Sequence, residues 1–161
     1  MRTLKVAAIG GATFALLLST PIWAQPTTKA QPSVVHLPAE HIHRVVIQVT
    51  QNDPAVMNMA LNNAENLVKF YQDKGEKVQI ELVAYGAGLS IFRSDTSPVK
   101  DRLAAISGNK NITFSGCGNT MATQSKMENK DITLVPEAHV VSAGIARVVE
   151  LEEQGWTYVR P

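Results

Sequence analysis

The sequence predicts an α/β fold, a single-domain open, mostly parallel five-stranded sheet with helices on both faces. Three observations carry this expectation. Runs of β-branched residues alternate with stretches whose apolar residues recur every three or four positions. Two of the helical stretches are introduced by a capping residue followed by proline, Asp53-Pro54 and Ser97-Pro98. Finally, Cys117 lies between two glycines where a strand pattern gives way to a helix pattern, and open α/β sheets bind their ligands at such a turn.

The first residues stand apart from that pattern. Arg2 and Lys5 make a basic start, Val6 to Leu18 is apolar, and Pro21-Ile22-Trp23-Ala24 places a small residue before a polar stretch. This is the pattern of a cleavable signal peptide over residues 1–24, and it predicts a periplasmic protein. The apolar core is shorter than the roughly 20 residues a membrane span requires, so no permanent membrane anchor is expected. Cleavage after Ala24 leaves 161 − 24 = 137 residues, enough for one domain with its own core. It also lowers Lys+Arg from 15 to 13 against 14 acidic residues. With no basic excess, a nucleic-acid partner is not expected. Residues 25–42 contain Pro26, Pro32 and Pro38 and little apolar periodicity, and they read as a flexible lead-in to a domain over 43–161.

The elements then follow in order. Arg44 to Thr50 is a nearly continuous β-branched run, as expected of a strand buried on both faces. Met57, Ala60, Leu61, Ala64, Leu67, Val68 and Tyr71 form the stripe of a long helix ended by Gly75. Lys77 to Tyr85 is a second strand, and Gly86-Ala87-Gly88-Leu89 is a turn. Val99, Leu103 and Ile106 give a short helix closed by Gly108. Ile112-Thr113-Phe114 is the third strand, and helix-forming character returns from Met121 to Met127. Ile132 to Val135, stopped by Pro136, is expected as the fourth strand. Ala138, Val141, Ile145, Val148, Val149 and Leu151 are expected as the stripe of a last helix, with Trp156 to Val159 as the final strand.

Cys117 is the only cysteine, so it cannot close a disulfide within its own chain. Three roles remain: a packed, inert residue, a partner for another molecule's sulfur, or a reactive thiol. The N-H groups at a helix start favour negative charge and would raise its thiolate fraction. Gly116 and Gly118 allow a close approach, and Asn119 and Thr120 offer side chains to a thiolate or a bound anion. His139, expected to open the last helix beside the end of the fourth strand, is the candidate base. His36, His41 and His43, with Glu40, stand in or beside the proline-rich lead-in, and no preformed metal site is expected from them. Gly86-Ala87-Gly88 lacks the third glycine of a dinucleotide fingerprint and the lysine of a phosphate loop, so no cofactor is expected. Asn62, Asn63 and Asn66 read as a solvated helix face with a hint of a polar interface.

Five segments in order carry a family resemblance: Val45 to Thr50 with Asp53-Pro54, Ala60-Leu61-Asn62-Asn63-Ala64, Val83-Ala84-Tyr85-Gly86, Cys117-Gly118-Asn119-Thr120-Met121, and Gln154 to Pro161. Together they resemble the DsrE/DsrF-like family over essentially the whole of 43–161. The resemblance implies a small α/β domain that assembles into trimers or hexamers. It also implies a persulfide carried on the cysteine at the strand-to-helix turn, by position Cys117, and a thiol or persulfide partner protein. The chain departs from the relay members of that family in its expected export and in the polar Gly118-Asn119-Thr120 that follows the cysteine. The leading expectation is therefore a periplasmic sulfur carrier. The alternative is an oligomeric binding or scaffold protein with a structural cysteine.

Overall fold

The computed structural model describes residues 41–161. The expected signal peptide, most of the lead-in, and His36 and Glu40 lie outside the described residues.

The chain alternates strand and helix as its pattern requires. It runs β1 (Ile42–Val49), α1 (Pro54–Asp73), β2 (Lys77–Ala84), a 3-10 segment (Gly86–Ile91), α2 (Lys100–Ile106), β3 (Ile112–Cys117), α3 (Gly118–Glu128), β4 (Ala138–Val141), α4 (Gly144–Glu153) and β5 (Thr157–Val159). All four strand pairings are parallel, in the order β4-β3-β2-β1-β5. Among the described residues no helix is long and apolar enough to cross a membrane.

The N-terminal half follows the sequence closely, except that Ser97-Pro98 does not start α2, which begins at Lys100 after Val99, while the Ser97 hydroxyl donates to Ile91 O. Asp53 caps α1 by accepting the Ala55 amide at 2.7 Å, with Pro54 as the first helical residue. Met57, Ala60, Leu61, Ala64 and Val68 of α1 pack on Val45, Ile47, Val49, Ile80, Leu82 and Ala84 of the sheet. Ile112, Phe114, Leu103, Ile91 and Phe92 complete that core. The opposite face carries a smaller cluster, Val46 and Val83 under Val148 and Leu151 of α4. The two clusters use alternate residues of the same strands because successive side chains point to opposite faces.

The C-terminal third departs from expectation. Ile132 to Val135 is no sheet strand: Ile132 and Val135 are buried, but only Leu134 forms an isolated antiparallel bridge, to Arg93. The Val135 amide donates to Phe92 O at 2.8 Å and the Ser94 amide to Thr133 O at 2.9 Å, so the run is held as a connection. The fourth strand is β4, which covers Ala138 and Val141 of the expected helical stripe, and the last helix starts at Gly144. His139 consequently sits within a strand. The Gly86 turn is a 3-10 segment, and α3 begins at Gly118, three residues before Met121.

Connections from β1 through β4 step one way along the sheet, and the last returns to the far side of β1. With right-handed crossovers the chain leaves β3 through α3 toward one face and leaves β4 through α4 toward the other. The crevice between the carboxyl ends of β3 and β4 is therefore the topological switch point of the sheet. Cys117, paired with Val141, stands there.

Candidate functional site

Cys117 ends β3 and caps α3. Its backbone is extended, and its sulfur accepts the Thr120 amide at 3.4 Å, taking the place of the oxygen that usually caps a helix. The Thr120 hydroxyl is oriented in turn, because its oxygen accepts the Gly86 amide at 3.0 Å and its proton is left for the sulfur. From the other side of the crevice, α4 presents its first residue, Gly144. No side-chain cap serves the start of α4.

Gly144 leaves no room for a side chain. A Cβ there would lie 2.8 Å and 2.9 Å from the Cδ1 and Cβ of Tyr85 and 3.1 Å from Cys117 Cβ. Its bare backbone lets the helix end close on the sulfur. Burial raises the Cys117 pKa, but the Thr120 hydroxyl and the amides of Gly144, Thr120 and Asn119 outweigh it and hold the thiol below its ordinary value. Two helix N-termini thus converge on one sulfur atom, and their partial positive charge acts in the same direction. The thiolate is the form that attacks a sulfur or carbon electrophile.

Cys117 is free and only 5% exposed. Beside it lies a shallow groove of about 390 Å³, lined by Gly86, Asn119, Thr120, Thr123, Gln124 and Met127. Cys117 itself does not line the groove, while Asn119 and Thr120 at the start of α3 do.

The other residues singled out by sequence divide by location. Asn119 and Thr120 belong to the sulfur's surroundings, and the Asn119 amide also donates to Ser142 O at 3.1 Å, tying α3 to the end of β4. Gly118 lies against that strand end, where a Cβ would be 3.2 Å from Val140 Cγ1. Gly116 faces the opposite side: a Cβ there would sit 2.5 Å from Leu134 Cδ1, so its role is close packing of the larger core. His139 pairs in register with Ser115, and its Nε2 is 2.9 Å from the Ser115 hydroxyl. Its hydrogen bond reaches the residue one pleat before Cys117, not the sulfur. His43 stacks on Tyr71 at 4.0 Å between centroids and bonds Glu76 at 2.9 Å, with His41 edge-on to it. Among the described residues no group of three His, Cys, Asp or Glu side chains is arranged to hold a metal ion.

Sequence reasoning missed a polar network under α4. Glu81, 3% exposed, takes two hydrogen bonds from the Arg147 guanidinium at 2.8 Å each and one from Ser115 at 2.6 Å. Burial raises the Glu81 pKa, but the bonds from Arg147 and Ser115 and the charge of Arg147 lower it overall, so the carboxylate is ionised. The sequence carried no clear signal for it, because Glu81 falls on the polar phase of the second strand, with Gln79 and Val83 alternating against Val78, Ile80, Leu82 and Ala84.

No family model matches the chain, and no curated protein matches it. Among solved structures it is similar to a protein of unknown function, MTH1491 from Methanobacterium thermoautotrophicum, at 29% identity and a TM-score of 0.63. The match covers 74% of this chain and 99% of that one, so the domain corresponds to a complete single-domain α/β chain.

Proposed function

We propose that the chain is a DsrE/DsrF-like, exported periplasmic protein that carries sulfane sulfur on Cys117. The single observation that carries this reading is that two helix starts close on the sulfur at the sheet's switch point: Cys117 caps α3 by accepting the Thr120 amide at 3.4 Å, and Gly144 at the start of α4 packs against it so closely that a Cβ would lie 3.1 Å from Cys117 Cβ. An inert turn cysteine needs no such arrangement. The ordered sequence segments support the family, and the basic, apolar start of the chain supports export.

The step conserves atoms and electrons. The Cys117 thiolate attacks the outer sulfur of a donor persulfide, R-S-SH, forming Cys117-S-SH and releasing the donor as its thiolate, R-S⁻. The acceptor's thiolate then attacks the outer sulfur on Cys117, and the original thiolate is restored. No external oxidant or reductant enters. The groove along α3 is where the partner's thiol or persulfide approaches, and the donors that favour the thiolate also favour it as leaving group. The exposed apolar side chains Val140 on β4 and Ile145 and Val149 on α4 support assembly into a homo-oligomer, and the family resemblance implies that it is a trimer or hexamer.

A second reading has its own observation. Cys117 is nearly covered, which suits an oligomeric binding or scaffold protein with a packed cysteine. Incubation of the purified protein with a persulfide donor, followed by intact-mass measurement, separates the two. The carrier reading expects a one-sulfur adduct that is absent from Cys117→Ser, and the scaffold reading expects no adduct.

A further inference from the structure

We propose that Arg147 and Glu81 are positioning residues for Cys117: their ion pair fixes the first turn of α4 so that the Gly144 amide stays on the sulfur. This rests on the reading of Cys117 as a reactive thiolate.

Arg147 lies three residues after Gly144, nearly one helical turn, so whatever holds its backbone holds the helix start. The apolar contacts of α4 with the sheet, through Val148 and Leu151, are non-directional. The guanidinium instead meets the carboxylate as a fork, Nε to Oε1 and Nη2 to Oε2, both at 2.8 Å, which constrains rotation as well as distance. Glu81 is itself held in one orientation by the Ser115 hydroxyl, which lies between Glu81 and His139. Glu81 belongs to β2 and Ser115 to β3, so the anchor is built into the central strand and its neighbour.

An ion pair whose carboxylate is buried and whose guanidinium is half-buried is a poor source of stability, because desolvation offsets much of its Coulomb energy. Its return here is geometric. The fit around Gly144 is tight, with Tyr85 and Cys117 both within 3.1 Å of a Cβ position, and small rotations of α4 would move the amide off the sulfur.

The test reads the pH dependence of Cys117 alkylation by iodoacetamide in the full chain, with circular dichroism and thermal melting as controls. Arg147→Lys keeps the positive charge but loses the fork. Glu81→Met with Arg147→Met replaces the pair by apolar chains and leaves no buried charge uncompensated, since Glu150, which loses only a 3.7 Å contact to Arg147, is exposed to solvent; it serves if the single variant does not fold. The expected result is a titration midpoint shifted upward in both, with about ten-fold less thiolate below the midpoint, the loss of one charge-assisted bond. A low wild-type midpoint that neither folded variant moves overturns the positioning role and leaves the carrier reading standing. A shift in the double variant alone, absent in folded Arg147→Lys, also overturns it, since charge rather than geometry would then be the cause. A wild-type midpoint at the ordinary value of about 8.5 overturns the reactive thiolate itself, and the positioning role with it.

Discussion

Gly144→Ala is the smallest change that tests how the site is built. The added methyl would lie 2.8 Å from Tyr85 Cδ1, 2.9 Å from Tyr85 Cβ and 3.1 Å from Cys117 Cβ, against about 3.5–4.0 Å for carbon atoms in comfortable contact. Turning the Tyr85 ring relieves only the first of these. The two Cβ atoms belong to the backbones at the ends of β2 and β3, so the start of α4 must retreat by roughly 0.5–1 Å. Overpacking of this size costs about 1–3 kcal/mol, a fall in melting temperature of several degrees for a domain of this length. The retreat also lengthens the Gly144 bond to the sulfur and loosens the cover over it. Alkylation followed against pH separates these effects: the midpoint reports the thiolate, and the plateau rate at high pH reports access. Both are expected to rise. A variant that melts with the wild type and keeps its midpoint would refute the close approach of α4 to Cys117.

Other consequences follow from the same geometry. Thr120→Val removes the hydroxyl that donates to the sulfur and accepts from Gly86, and it is expected to raise the thiol midpoint, read by thiolate absorbance, without unfolding the protein. The native Cys117 pKa is depressed, so the stability it contributes is fully present above the unfolded value of about 8.5 and is lost as pH falls through the lower native value. The stability difference between wild type and Cys117→Ser, from urea denaturation, should therefore grow as pH rises across that window. Arg93 is 5% exposed and forks onto both Asp95 and Glu128, joining the loop after the 3-10 segment to the end of α3. Arg93→Met is expected to lower the melting temperature by roughly 5 °C at pH 7. The Arg93 bonds, with help from Lys130, hold Glu128 down to about 2 and lower Asp95 further. Their contribution is present above the ordinary carboxylate range and lost as pH falls toward 2, so the wild type should lose stability more steeply below pH 4 than Arg93→Met.

Local chemistry made the first half of the fold legible. Asp53-Pro54 announces α1 and its stripe sets the buried face, because both depend on residues within one or two turns. The position of Cys117 at a strand-to-helix junction was legible for the same reason, although α3 starts three residues early because the sulfur itself serves as cap. The C-terminal third was not. Ile132 to Val135 looks like a strand because it is apolar and ends at a proline, but its amides and carbonyls are taken by the chain near Phe92 and Ser94. β4 has four residues, none of them buried, and two of them fall by chance on a helical period that α4 continues. Such short segments cannot be told apart by pattern alone. The Glu81–Arg147 pair joins positions 66 apart, and nothing local connects them. Gly144 carried no signal either, since its significance lies in Tyr85 and Cys117, which topology alone brings to it.

Intact-mass spectrometry after exposure to a persulfide donor probes the central claim most directly. The account predicts one added sulfur per chain, removed by a small thiol acceptor and absent in Cys117→Ser. A wild-type protein that stays folded and gains no sulfur from any persulfide donor would contradict it.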